Sequence, residues 1–142
     1  MASFRQEFMD ALNSMNIKFT LLNEEDNLLH IGVMSNTGVK TDIFVDFDET
    51  NSGEELPSCK FIAPSLAVAP EEKTVNMLVA LNELNLKFRF AKFSLSEENQ
   101  VSVQIDIFFR GGDAVDECLF ALQSIIRIVD ESYPVIMRTI YA

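Results

Sequence analysis

VALNELNLKFRFAKFSL, residues 79–95, is where the chain changes its period. Up to Leu86 the leucines recur at helical spacing, whereas Lys87–Leu95 has apolar side chains on both faces of what reads as a strand. Asn82 and Asn85 interrupt the apolar run. Asn is a mediocre helix former because its side chain competes for backbone hydrogen bonds. The stretch predicts a helix that hands the chain directly to a strand.

Upstream, Pro70 opens this helix at a first-turn position, with Glu71 and Glu72 on the favourable side of its dipole. Downstream, Ser96–Asn99 is a turn, and Val101, Val103, Ile105, Ile107 and Phe109 alternate cleanly along a second strand. Gly111 and Gly112 break that strand. Asp113 caps a long final helix with Asp116 and Glu117 in its first turn. Its apolar stripe is Val115, Leu119, Leu122, Ile126, Val129, Tyr133, Ile136 and Ile140. Pro134 has no amide to bond Asp130 and predicts a kink.

The first half of the chain begins with a helix over about Ser3–Met15, where Ser3 and Gln6 resemble a capping box and Asn16 suits a left-handed cap. Ile17–Asn23 and Leu28–Met34 flank a polar turn and read as a hairpin. After the turn Ser35–Gly38, Thr41–Glu49 alternates as a half-buried strand. A polar loop, 49–57, leads to a shorter strand, Ser58–Ala63, where Pro64 marks an end or an edge position. The order α-β-β-β-(β)-α-β-β-α predicts an α+β fold, helices packed against one antiparallel sheet. With no repeat, linker or low-complexity run, residues 1–142 read as a single domain.

Eleven basic against 22 acidic residues give a net charge of −11. That charge repels nucleic acid and anionic lipid over a Debye length of about 8 Å. Lys87, Arg89 and Lys92 are read as a solvated strand face, so neither nucleic acid nor membrane is an expected partner. The N-terminus is no secretory signal, no apolar run approaches the roughly 20 residues that span a bilayer, and the chain reads as cytoplasmic. Cys59 and Cys118 lack metal or redox spacing and read as small apolar residues.

On a wheel of about 100° per residue, Asn76, Glu83 and Lys87 form a narrow polar face of the middle helix. Val75, Met77, Leu78, Val79, Leu81, Leu84 and Leu86 fill the remainder. A helix this apolar is covered either by two layers of its own fold or by another subunit. Asn82 falls in the middle of the apolar arc and Asn85 on its flank. They either bind backbone at the helix-to-strand junction or form an amide pair facing a partner. In the final helix, Phe120, Ile128 and Val135 project away from the main stripe, and Phe120 and Ile128 on its back suit a second apolar surface of the kind an interface uses.

Residues with chemical potential are few. His30, the one histidine, sits in an apolar strand with no Ser or Cys beside it to activate. Asp42, Asp46, Asp48 and Glu49 fail the spacing of a calcium loop, which places Gly at its sixth position. Arg110–Ala114 has glycines before a helix but neither Walker nor dinucleotide spacing, and reads as a strand-to-helix turn. No catalytic, metal or cofactor-binding residues are assigned.

Residues 79–95, the alternating strand after them and IIRIVDESYPVIM (125–137) resemble the YbjN family. The resemblance implies a fold like that of type III secretion chaperones and a non-enzymatic role as a sensory-transduction regulator or chaperone-like protein, with homodimerisation. One departure is four possible strands before the middle helix, where the chaperone fold has three. The expectation is thus a protein-binding homodimer without cofactor, using Asn82, Asn85, Phe120 and Ile128 toward a protein partner. The alternatives are a small-ligand sensor with a pocket between sheet and helices, and a hydrolase or metal enzyme using His30 and the carboxylates of Asp42–Asp48.

Overall fold

A computed structural model describes residues 4–23, 28–35, 38–48, 58–108 and 113–142. The helices are α1 (Phe4–Ser14), α2 (Thr74–Lys87, preceded by a 3₁₀ turn, Glu71–Lys73) and α3 (Ala114–Tyr141). The strands are β1 (Thr20–Asn23), β2 (Leu28–Met34), β3 (Lys40–Asp48), β4 (Ser58–Val68), β5 (Lys92–Leu95) and β6 (Gln100–Phe108). All six form one antiparallel sheet in the order β1-β2-β3-β4-β6-β5. The α+β architecture and element order are those the sequence predicts.

The sheet owes its core face to the period-two pattern. Leu29 and Ile31, then Ile43, Val45 and Phe47, then Cys59, Phe61 and Ala63, and finally Val101, Val103 and Ile105 are buried on one side. The helices cover that side: α3 lies on β4 and β6, α2 on α3 and β5, and α1 on α3. Phe8 of α1 meets Phe47 and Phe61 edge-on, with ring centroids 5.8 and 6.0 Å apart.

Local signals place the helix ends. Asn16 adopts a positive φ of 59°, and the Ile17 amide bonds the Leu12 carbonyl at 2.9 Å, the six-to-one bond of a Schellman cap. Asp113 accepts from the amides of Val115 and Asp116, capping α3.

Three expectations are corrected. β4 does not stop at Pro64 and is not an edge. It runs to Val68 between β3 and β6, and Pro64 falls where the register slips between Ala63 and Ala67, a bulge that needs no proline amide. β5 begins at Lys92 rather than Lys87, because α2 continues through Lys87 and the Ala91 amide turns back onto the Phe88 carbonyl. Ile128 does not project from the back of α3. It is buried with Cys118, Ala121, Leu122, Ile125, Val129 and Ile136, a face wider than the predicted stripe. The Ser3 cap, the 24–27 turn, the 49–57 loop and Phe109–Gly112 lie outside the described residues.

Candidate functional site

α2 carries the most unusual surface. Its buried side, Met77, Ala80, Leu81 and Leu84, uses only part of its apolar residues. Val75, Leu78, Val79 and Leu86 are 51–77% exposed. Positions 75, 78, 79, 82 and 86 share one helical face, so Asn82, itself exposed, sits in the middle of an exposed apolar stripe. Helix α2 is therefore not sandwiched between two layers of its own fold.

Asn85 has a different environment. Its Nδ2 donates to the Phe93 carbonyl at 3.1 Å, and the Phe93 amide donates to its Oδ1 at 2.6 Å. The carboxamide thereby acts as a short strand along the outer edge of β5. Phe88, buried at the end of α2, lies 6.2 Å from Phe93 and holds the junction from inside.

A groove of about 860 Å³ opens beyond that junction. The α2–β5 turn gives it Phe88 and Phe90, β6 gives Ile105–Phe108, and α3 gives Phe120, Ala121 and Ile128. Phe90, Phe108 and Phe120 on its rim are 67–83% exposed, while Ile128, 4% exposed, belongs to its floor. The charged rim is mixed: Lys87 and Arg89 stand toward the turn, Asp116 and Glu117 in the first turn of α3. Repulsion from Asp113 raises the Asp116 carboxyl pKa, and a hydrogen bond between the two carboxyl groups adds to it.

The four candidate residues thus fall in three places: Asn82 on the stripe of α2, Asn85 on the β5 edge, Phe120 and Ile128 in one groove. The rest of the stripe, and Phe90 and Phe108 of the groove, escaped selection. An apolar residue in sequence does not reveal whether another layer covers it.

The sheet face opposite the helices carries His30. Its Nε2 lies 2.8 Å from Asp42 Oδ1 and its ring 5.1 Å from that of Phe44. Register continues this row from Phe44 to Ile62 and Gln104, a cross-strand ladder of ordinary sheet pairs. Among the described residues no group of three metal-ligating side chains converges, and no helix is long and apolar enough to cross a membrane. Cys59 of β4 and Cys118 of α3 are free thiols buried in the core, and burial pushes the Cys59 thiol far above neutrality, with Cys118 adding to it.

Comparison with curated proteins finds no match. Among solved structures, the chain is similar to the "Crystal structure of YbjN, a putative transcription regulator from E. coli", with a TM-score of 0.59 at 10% identity, covering 94% of this chain and 89% of that one. At that identity the likeness is one of fold. The family model YbjN, described as "Putative bacterial sensory transduction regulator", matches residues 10–138. The chain therefore belongs to the YbjN family.

Proposed function

We propose that this protein is a non-enzymatic, chaperone-like or regulatory protein-binding domain that works as a homodimer joined through α2. The exposed stripe of Val75, Leu78, Val79 and Leu86 around Asn82 carries the reading. Burying one such side chain contributes about 1.5–3 kcal/mol, which a monomer forgoes at four positions on one helix.

A second copy fits this stripe by charge as well as by its apolar character. Glu71 and Glu72 precede α2, Lys87 ends it and Arg89 follows it. Two α2 helices placed antiparallel set Val75 against Leu86 and Glu72 against Arg89, and their macrodipoles oppose. With −11 on each chain, like-charge repulsion works against association in general, so this local pairing favours one geometry. The description of the family supports the regulatory part of the reading.

Size-exclusion chromatography with light scattering on wild type and Leu78→Glu tests the dimer. Wild type at high micromolar concentration should weigh twice 16.0 kDa, and the variant should weigh 16.0 kDa with an unchanged circular dichroism spectrum. A monomeric wild type sinks the proposal. The alternative, a small-ligand sensor, draws on the groove between β6 and α3, and a metabolite that raises the melting temperature would favour it.

A further inference from the structure

We propose that the groove beside β6 receives an extended segment of a partner protein as an added strand, held by the backbone of Asp106 and Phe108. This goes beyond self-association through α2 and uses a different apolar surface, with Arg89 at the margin of both.

The starting point is a mismatch in strand length. β6 spans Gln100–Phe108, but β5 pairs with it only from Leu95↔Val101 to Lys92↔Gln104. Ahead of Lys92 the chain turns away into α2, so no described strand lies beside Ile105–Phe108 on that side. The other side of those residues is paired with β4.

Asn85 identifies which backbone groups face the gap. Both polar backbone groups of Phe93 point outward to the carboxamide, so Phe93↔Val103 is a pair that exchanges no backbone bonds within the ladder. Lys92↔Gln104 is then a bonded pair. Alternation along β6 aims the N–H and C=O of Asp106 and Phe108 into the gap, and those of Ile105 and Ile107 toward β4. A docked helix satisfies its own backbone and leaves these groups unmet, whereas an extended segment completes them.

The walls narrow the chemistry further. An added strand lies in line with β5 and over α3, so alternate side chains enter between Phe88, Phe120 and Ile128. The α2–β5 turn sets Arg89 at the Gln104 end, and the first turn of α3 sets Asp116 at the Phe108 end. Asp113 crowds Asp116, and a cation placed there relieves the repulsion. The fitting segment has apolar residues at alternate positions, a basic residue at the Asp116 end and an acidic one at the Arg89 end.

Amide hydrogen exchange by NMR and panning of a random-peptide display library test this together. In the free protein the amides of Asp106 and Phe108 should exchange fast, and those of Ile105 and Ile107 slowly. Enriched peptides should show period-two apolar spacing and bind Phe120→Asp at least about tenfold more weakly. That variant changes an exposed side chain and should keep its circular dichroism. N-methylation of alternate peptide residues should abolish binding in one phase only, and bound peptide should protect Asp106 and Phe108. Protection of these amides in the dilute free protein means the chain fills the slot itself and overturns the proposal. So does protection that grows with protein concentration, which identifies a second copy as occupant. Peptides with helical spacing, or no enrichment, overturn it equally.

Discussion

The Asn85 carboxamide and the Phe93 backbone close a ring of two hydrogen bonds, 3.1 and 2.6 Å long, on the outer edge of β5. An edge strand with free amides and carbonyls is a template for unwanted pairing, and here a helix side chain covers it. The same contact fixes which β6 groups face the groove.

Replacing Asn85 by Leu removes both bonds and leaves the backbone groups of Phe93 without them beside an apolar side chain. A loss of about 1–3 kcal/mol is expected from urea unfolding. Faster hydrogen exchange at the Phe93 amide should accompany it. An unchanged midpoint would mean that the carboxamide only decorates the edge.

Asn82 should behave in the opposite way. It is exposed, so Asn82→Leu should change the stability of the dilute monomer by no more than about 0.5 kcal/mol. Its effect should appear in self-association. A marked loss of monomer stability would place the Asn82 amide in the fold rather than at a contact.

Both cysteines are buried, and the Cys59 thiol is held far above neutral pH first by burial and then by Cys118. A chromogenic disulfide should therefore titrate neither thiol in the native protein and both in guanidinium. Rapid native labelling at pH 7 would contradict the burial of Cys59 and Cys118.

At the start of α3 the pH dependence has a definite sign. Because Asp113 raises the pKa of Asp116, the folded chain binds this proton more tightly than the unfolded chain. Stability from this pair is greatest at low pH and falls as pH rises through the window between the usual and the raised value. Asp113→Asn keeps a capping side chain and should bring the Asp116 pKa down in a carbon-detected NMR titration. A pKa that does not move would remove Asp113 as the cause.

What could be read from the sequence followed from how local each cause is. Asn16, Asp113 and the alternation along β6 act within a few residues, and each does what its residue type implies. Pro64 misled because its missing amide excludes a regular strand interior but not a bulge, which only pairing with β6 reveals. Asn82 and Asn85 of α2 lie three positions apart with opposite surroundings, one in solvent and one on the β5 edge. A helical wheel gives the direction of each side chain; what stands there depends on β5 and on the absence of a covering layer over Val75, Leu78, Val79 and Leu86.

Antiparallel α2 pairing is tested most directly by a short bis-maleimide cross-linker on single-cysteine substitutions along the stripe. With Val75 facing Leu86, the two copies of position 79 lie near the two-fold axis. Those of position 75 are separated by about 16 Å along the helix axis. Val79→Cys should give a covalent dimer in high yield and Val75→Cys should not. Equal yields at both positions, or none at either, would contradict the antiparallel dimer.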